Sequence, residues 1–168
     1  MELLSGLYSR RSIRHFTPSP VNLDHIEEII KAGSWAPSGL NNQPWRFVPV
    51  SNKDILNNLA LLTKYHRIIK EAPLSIAVFI HKDSMYNEVK DHQAMGACIQ
   101  NMLLAAHALG LGAVWMGEIL NRAEEARALL GLTNEFELMA VVAVGHPTGE
   151  IKESKRKPLN EVILKSLD

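Results

Sequence analysis

Residues 91–110 read DHQAMGACIQNMLLAAHALG, and the fold turns on how that stretch is read. Met95, Cys98, Ile99, Met102, Ala106 and Leu109 recur at helical spacing. The spacing predicts one long helix over 91–109, ended by Gly110 in a left-handed turn. The predicted helix is apolar over much of its surface, which places it at the centre of a core or of a subunit interface. Residues 113–116 follow as a short strand. Upstream, 74–80 is a nearly continuous apolar run with Ile76, Val78 and Phe79, read as a buried strand. Residues 46–50 and 138–144 read as two more strands. A helix over 23–32 carries Leu23, Ile26, Ile29 and Ile30 on one side, with Asn22 as N-cap, Asp24 in its first turn and Gly33 as its stop. Shorter helices are predicted over 2–9, 53–62, 65–71 (closed by Pro73) and from an Asn121 cap to Leu130, ended by Gly131. Helices and strands mix without a regular βαβ period, so an α+β sandwich fits better than a doubly wound parallel sheet.

The chain has 168 residues, enough for one domain with a real core, and one domain over 1–168 is expected. Lys+Arg and Asp+Glu stand at 18 each, which argues against a nucleic-acid or anionic-membrane partner while leaving room for a local anion site. Cys98 is the only cysteine, so no intrachain disulfide forms, and its place on the apolar stripe predicts an inert thiol. No apolar run precedes Arg10 and Arg11 as in a secretory signal, and none is long enough to span a bilayer. A cytoplasmic location is the default expectation. From Gly149 the chain turns basic, with Lys152, Lys155, Arg156 and Lys157, and 162–167 recovers apolar character. That tail has little to bury by itself and is expected to wrap over another surface.

Three stretches carry candidate chemistry. Arg10-Arg11-Ser12-Ile13-Arg14 sets three guanidiniums and a hydroxyl within five residues, a set able to grip a phosphate. On an extended segment Arg10, Ser12 and Arg14 share one face, and Arg11 points elsewhere or donates through its backbone. Taken alone, such a cluster reads first as solvated surface. Residues 36–45, APSGLNNQPW, combine turn chemistry with amide side chains that both donate and accept, which suits the mixed edge of a flat ring. Gly39 has no Cβ to obstruct such a ligand, and Trp45 reads as core. Residues 112–117, GAVWMG, set an aromatic and a methionine between glycines, and read equally as the flank of a planar cofactor or as strand-end core.

In this order and spacing, RRSIRxF, APSxxNxQPWxF and the late Arg156-Lys157-Pro158-Leu159 resemble the FMN-dependent nitroreductase family over nearly the whole chain. The resemblance implies a central, mostly antiparallel sheet flanked by helices, and an intertwined homodimer with FMN at the subunit interface. It implies that Arg10 and Ser12 hold the phosphate and ribityl end, with Arg156 as a second cation and Arg11 as a backbone or phosphate contact. Arg14 falls near the flavin's pyrimidine edge, where a cation would favour the reduced ring. Pro37, Ser38, Gly39, Asn41 and Gln43 would come from the partner subunit, and Trp115, Met116 and Gly117 would pass beside the ring. The implied activity is ping-pong hydride transfer from NADH or NADPH through flavin N5 to an electron-poor acceptor, a nitroaromatic, quinone or similar small molecule. No catalytic side chain is then required. The alternatives are a flavin-binding redox module without nicotinamide turnover, or a specialised flavin reaction such as reductive dehalogenation. The stretch between Ile80 and Asp91 leaves little room for a covering helix, so an open flavin face is expected.

The remaining candidates read as structure. The seven histidines form no metal-ligand spacing, and solvated or structural roles are expected for them. Gly110-Leu111-Gly112 lacks the third glycine of a dinucleotide fingerprint. Glu124 and Glu125 suit the positive end of a helix.

Overall fold

Alternation along one strand sets the layers. In β2 (Leu74–His81), Ile76, Val78 and Ile80 turn to one face and Ala77 and Phe79 to the other, and all five are buried. Such a strand needs cover on both sides. It pairs with β1 (Trp45–Val50) and β4 (Phe136–Gly145), and β3 (Gly112–Met116) completes a sheet of order β1-β2-β4-β3 in which every neighbouring pair is antiparallel. The computed structural model describes residues 2–149 and 153–167, so Lys152 of the basic tail lies outside them.

One face of the sheet is covered by α2 (Leu23–Ser34) and α5 (Glu88–Ala108), through Ile26, Ile29, Met95, Cys98, Ile99 and Met102. The other is covered by α3 (Lys53–Ala60), α4 (His66–Glu71) and α6 (Ala123–Leu129), through Leu56, Leu59, Ile69 and Ala126. Each fully buried aliphatic side chain contributes about 1.5–3 kcal/mol. The register passes from Val78↔Ala140 to Phe79↔Leu138, leaving Met139 as the extra residue of a β-bulge. That bulge turns Leu138 toward the α3–α6 layer while Ala140 faces α5. The result is the α+β sandwich expected from the mixing of elements. Two peripheral helices remain, α1 (Leu3–Ser9) and α7 (Leu159–Val162). Among the described residues no helix is long and apolar enough to cross a membrane.

Three boundaries differ from the sequence reading, each for a local reason. Gly33 does not stop α2. A Cβ there would stand 2.7 Å from Met102 Cγ and 3.2 Å from Cys98 Sγ, so the glycine permits close packing of α2 on α5. Helix α5 starts before residue 91, because Asn87 accepts from Lys90 N (3.0 Å) as its N-cap and draws Asp91 inside the first turn. Asn121 caps nothing: it lies within a 3-10 turn over Glu118–Arg122, and α6 begins after Arg122. Gly110 behaves as read, with φ +74° behind α5. Cys98 is buried, and burial pushes its thiol pKa up to about 12, which keeps it protonated.

The two helix-interior glycines of this face should respond oppositely to substitution. Gly33→Ala forces Met102 aside and is expected to cost about 1–3 kcal/mol. Gly96→Ala meets only Trp115 Cη2 at 4.0 Å, so it should gain about 0.5–1 kcal/mol from helix propensity. Thermal melts of the flavin-free variants check the contrast.

Candidate functional site

After α1 the chain runs beside the sheet edge. Ser12 bridges Ala113 in parallel, and Ile13 N donates to Ala113 O at 3.0 Å. Gly112 makes the approach possible, since a Cβ there would come 2.7 Å from Ile13 Cβ. This pinning extends residues 10–14 over a cavity of about 390 Å³. Arg10, Arg11, Ser12 and Arg14 line it, together with Glu153, Ser154 and Arg156 of the tail. Five of the sequence-derived site residues are therefore brought together, four from residues 10–14 and Arg156 from the far end of the chain.

Positive charge predominates in this cavity, with four arginines against Glu153. Arg11 Nη1 donates to Tyr8 O (2.7 Å) and Arg10 O (2.9 Å), where a cation suits the carbonyl end of α1. Arg14 Nη1 donates to Ser12 O (3.2 Å), and Arg156 bonds Ser154 Oγ and Lys155 O. Among the described residues none of these four arginines forms a salt bridge with a carboxylate. Arg10 Nε is buried without a partner. Burial, then the charges of Arg156 and Arg11, pull the Arg10 pKa below its ordinary value. The same causes, burial first and then Arg10 and Arg11, lower that of His107, which hydrogen-bonds Ser9 at 2.8 Å. A bound phosphate would supply the missing acceptor and neutralise the cluster.

The second group sits next to the first. Trp115 is 42% exposed at the end of β3, Gly117 is exposed, and the Met116 side chain is buried in the core. Met116 therefore has only its backbone to offer a ligand. Glu118 fixes the turn that follows, accepting from Thr63 Oγ1 (2.5 Å) and Lys64 N (3.1 Å).

The third group is far from the first. Residues 37–43 lie at the N-terminal end of α5 and the arginine cavity near its C-terminal end. Asn42 touches Asp91, Ser9 touches His107, and the 16 residues between those helix positions span about 24 Å. Within the segment, Ser38 Oγ accepts from Gln43 N (3.1 Å), and Gln43 Nε2 donates to Asn41 O (3.3 Å). Leu40, Asn41 and Gln43 all have positive φ (54°, 54° and 46°), at a cost on the order of 1–3 kcal/mol each. Gly39 does not face open space. A Cβ there would stand 2.0 Å from the Tyr86 hydroxyl, so a tyrosine of the same chain fills the room that the sequence reading left for a ligand.

Sequence reasoning missed the group that holds this segment. Asp91 is fully buried. Its Oδ1 accepts from Asn42 Nδ2 (2.7 Å), and its Oδ2 from Tyr86 N and Asn87 N (2.9 Å each). Burial alone would raise its pKa, but the bonds from Asn87, Asn42 and Tyr86 outweigh it and the net shift is downward. The only signal in the sequence is an acidic residue just inside a helix start, which by itself indicates no more than a favourable helix-end charge.

A depressed carboxylate stabilises the fold above its unfolded pKa of about 3.9, and that contribution is lost as pH falls through the lower folded value. Asp91→Asn is therefore expected to cost about 1–3 kcal/mol near neutrality. Its melting temperature should converge on that of the wild type below about pH 4. Melting curves across pH test this, and a difference that persists in acid would exclude the charge as its source.

Comparison with known proteins bears on what this arrangement serves. The model of the nitroreductase family matches residues 7–65 and 60–146. A protein of Archaeoglobus fulgidus named as an NADH dehydrogenase/NAD(P)H nitroreductase is 35% identical over 153 residues, 89% of this chain and 87% of that one. A crystal structure from Desulfovibrio desulfuricans, named as a nitroreductase in complex with FMN, superposes with a TM-score of 0.94 at 46% identity, covering 99% of this chain and 97% of that one. The NADPH:FMN oxidoreductase of Vibrio harveyi, solved with NAD+, superposes at 0.87 with 25% identity, covering 96% of this chain and 76% of that one. Family model, sequence similarity and fold agree, and the chain belongs to the nitroreductase family.

Proposed function

We propose that this chain is an FMN-dependent oxidoreductase that takes hydride from NADH or NADPH and passes it, in ping-pong fashion, to an electron-poor small molecule such as a nitroaromatic or quinone. The observation that carries the reading is a cavity lined by four arginines that, among the described residues, form no salt bridge with a carboxylate, one with a buried unpaired Nε, beside the start of β3. The residues present fit FMN: a dianionic phosphate matches Arg10 and Arg156, and Ser12 can donate to the ribityl chain. Bound there, FMN supplies a ring that accepts and returns hydride. Arg14 would place positive charge at the ring's pyrimidine edge and favour its reduced form. Trp115 and the Met116–Gly117 backbone would flank the ring and orient it. Binding and orientation are what this chemistry asks of a protein, which is consistent with a site built from arginines and amides.

The homodimer belongs to the same reading. Every described residue from 153 to 167 is exposed, including Leu159 (73%), Leu164 (100%) and Leu167 (80%). Leu3, Leu4, Leu7 and Tyr8 of α1 are exposed as well. So much apolar surface favours a partner surface over water. A second copy would also resolve the separation along α5, which exceeds the phosphate-to-ring reach of one FMN. One protomer would contribute its arginine cavity, and the other its 37–43 segment.

The purified protein is expected to show a flavin spectrum that bleaches anaerobically on addition of NADH or NADPH. A flavin that neither nucleotide reduces would favour a redox module instead. Arg10→Ala combined with Arg156→Ala should weaken FMN binding by about a hundredfold or more, as two charge-assisted hydrogen bonds are removed. Unchanged affinity would refute the phosphate assignment. Leu159→Asp with Leu164→Asp should shift the chain toward monomer in sedimentation velocity and weaken FMN binding in parallel.

A further inference from the structure

The 37–43 segment has a conformation that its own sequence does not favour. Leu40, Asn41 and Gln43 all occupy the left-handed region, and leucine is poorly suited to it. Leu40 is 86% exposed, so no packing of its side chain repays the strain. Something outside the segment must hold it.

That anchor is Asn42, the one residue of the four between Leu40 and Gln43 with an ordinary φ, −71°. Its Nδ2 donates to Ser84 O (2.9 Å) and to Asp91 Oδ1 (2.7 Å), while its own Oδ1 is buried without a partner. The side chain is thus fixed through its amide nitrogen. Asp91 ties three pieces together, because its other oxygen takes Tyr86 N and Asn87 N at the start of α5. Those bonds also set Tyr86, whose ring lies against Gly39. Only a carboxylate can do this. All the groups pointing at residue 91 here are donors, and an asparagine would have to turn its NH2 either on Asn42 Nδ2 or on the two backbone N–H groups.

We propose that Asp91 is a positioning residue for the flavin: through Asn42 it holds the strained segment in the conformation that presents Ser38, Gly39 and Asn41 to the cofactor. This rests on the reading that the 37–43 segment contacts FMN. Asp91 touches no reacting atom and acts by fixing where those contacts stand, and the rigid end of α5 supplies the reference.

Two variants separate this role from simple stability. Asn42→Ala cuts the tether and leaves Asp91 its two backbone donors, whereas Asp91→Asn disturbs the whole junction. Asn41→Gly removes a contacting side chain without backbone strain and reports on the segment itself. Three measurements apply: amide hydrogen exchange over 38–43 in the apoprotein, FMN affinity, and the reduction potential of the bound flavin. Asn42→Ala is expected to keep one cooperative melting transition and to exchange faster over 38–43. It should bind FMN roughly tenfold more weakly, as one charge-assisted hydrogen bond is lost, and its bound-flavin potential should shift toward that of free flavin. Asp91→Asn should move all three in the same direction and further. If it fails to fold, Asn42→Ala decides the matter. Unchanged exchange in Asn42→Ala overturns the proposal. So does faster exchange with wild-type affinity and potential, provided that Asn41→Gly weakens FMN binding. If Asn41→Gly also leaves FMN binding untouched, the assignment of the segment as a flavin contact is what has failed, and the role of Asp91 falls with it.

Discussion

Helix α5 runs 21 residues across one face of the sheet, with Met95, Cys98, Ile99 and Met102 turned into the core, and this burial decides where the other parts can go. Helix α2 must lie against it, closely enough that Gly33 has no room for a Cβ. The sheet must be covered on its other face too, because β2 and β4 are buried on both sides. The length of α5 also sets a distance. The arginine cavity and the 37–43 segment are held at opposite ends of a rigid rod, and a close-packed interior gives neither freedom to drift.

Electrostatics then divides the labour between those ends. Near the C-terminal end of α5, positive charge is gathered without a salt bridge to any carboxylate among the described residues. At the N-terminal end a buried negative charge is satisfied by three donors and holds down a strained loop. The first arrangement is open. The second is closed and works as a fixture. Both are common ways of organising a site in advance, one by unmet charge and the other by a carboxylate whose oxygens are taken up by three donors.

The exposed tail fits the same scheme. Residues 153–167 bring Arg156 to the cavity while leaving their leucines and Ile163 in water. A segment that contributes a cation to the site and apolar surface to the solvent side is consistent with an assembly in which a second copy covers it.

Sequence by itself determined the layers and singled out candidate site residues. Apolar runs placed the buried strands and helical spacing the main helices, because burial of a strand or of a helix stripe leaves a trace in the sequence. Arg10, Ser12 and Arg14 were legible as a candidate anion grip because few residue types supply one, Arg156 was legible only through the family resemblance, and the fold brings all four to one cavity. What escaped was contact between residues distant in the chain. Gly33 read as a stop signal and is a packing surface, since the reason for it is Met102, some seventy positions away. Gly39 read as room for a ligand and lies under Tyr86. Asp91 read only as the start of the long helix and is the buried junction of two loops. Local patterns record what each residue does for its own element. The identity of the neighbour that a side chain meets is fixed only when the elements pack, and that was the part the tertiary structure decided.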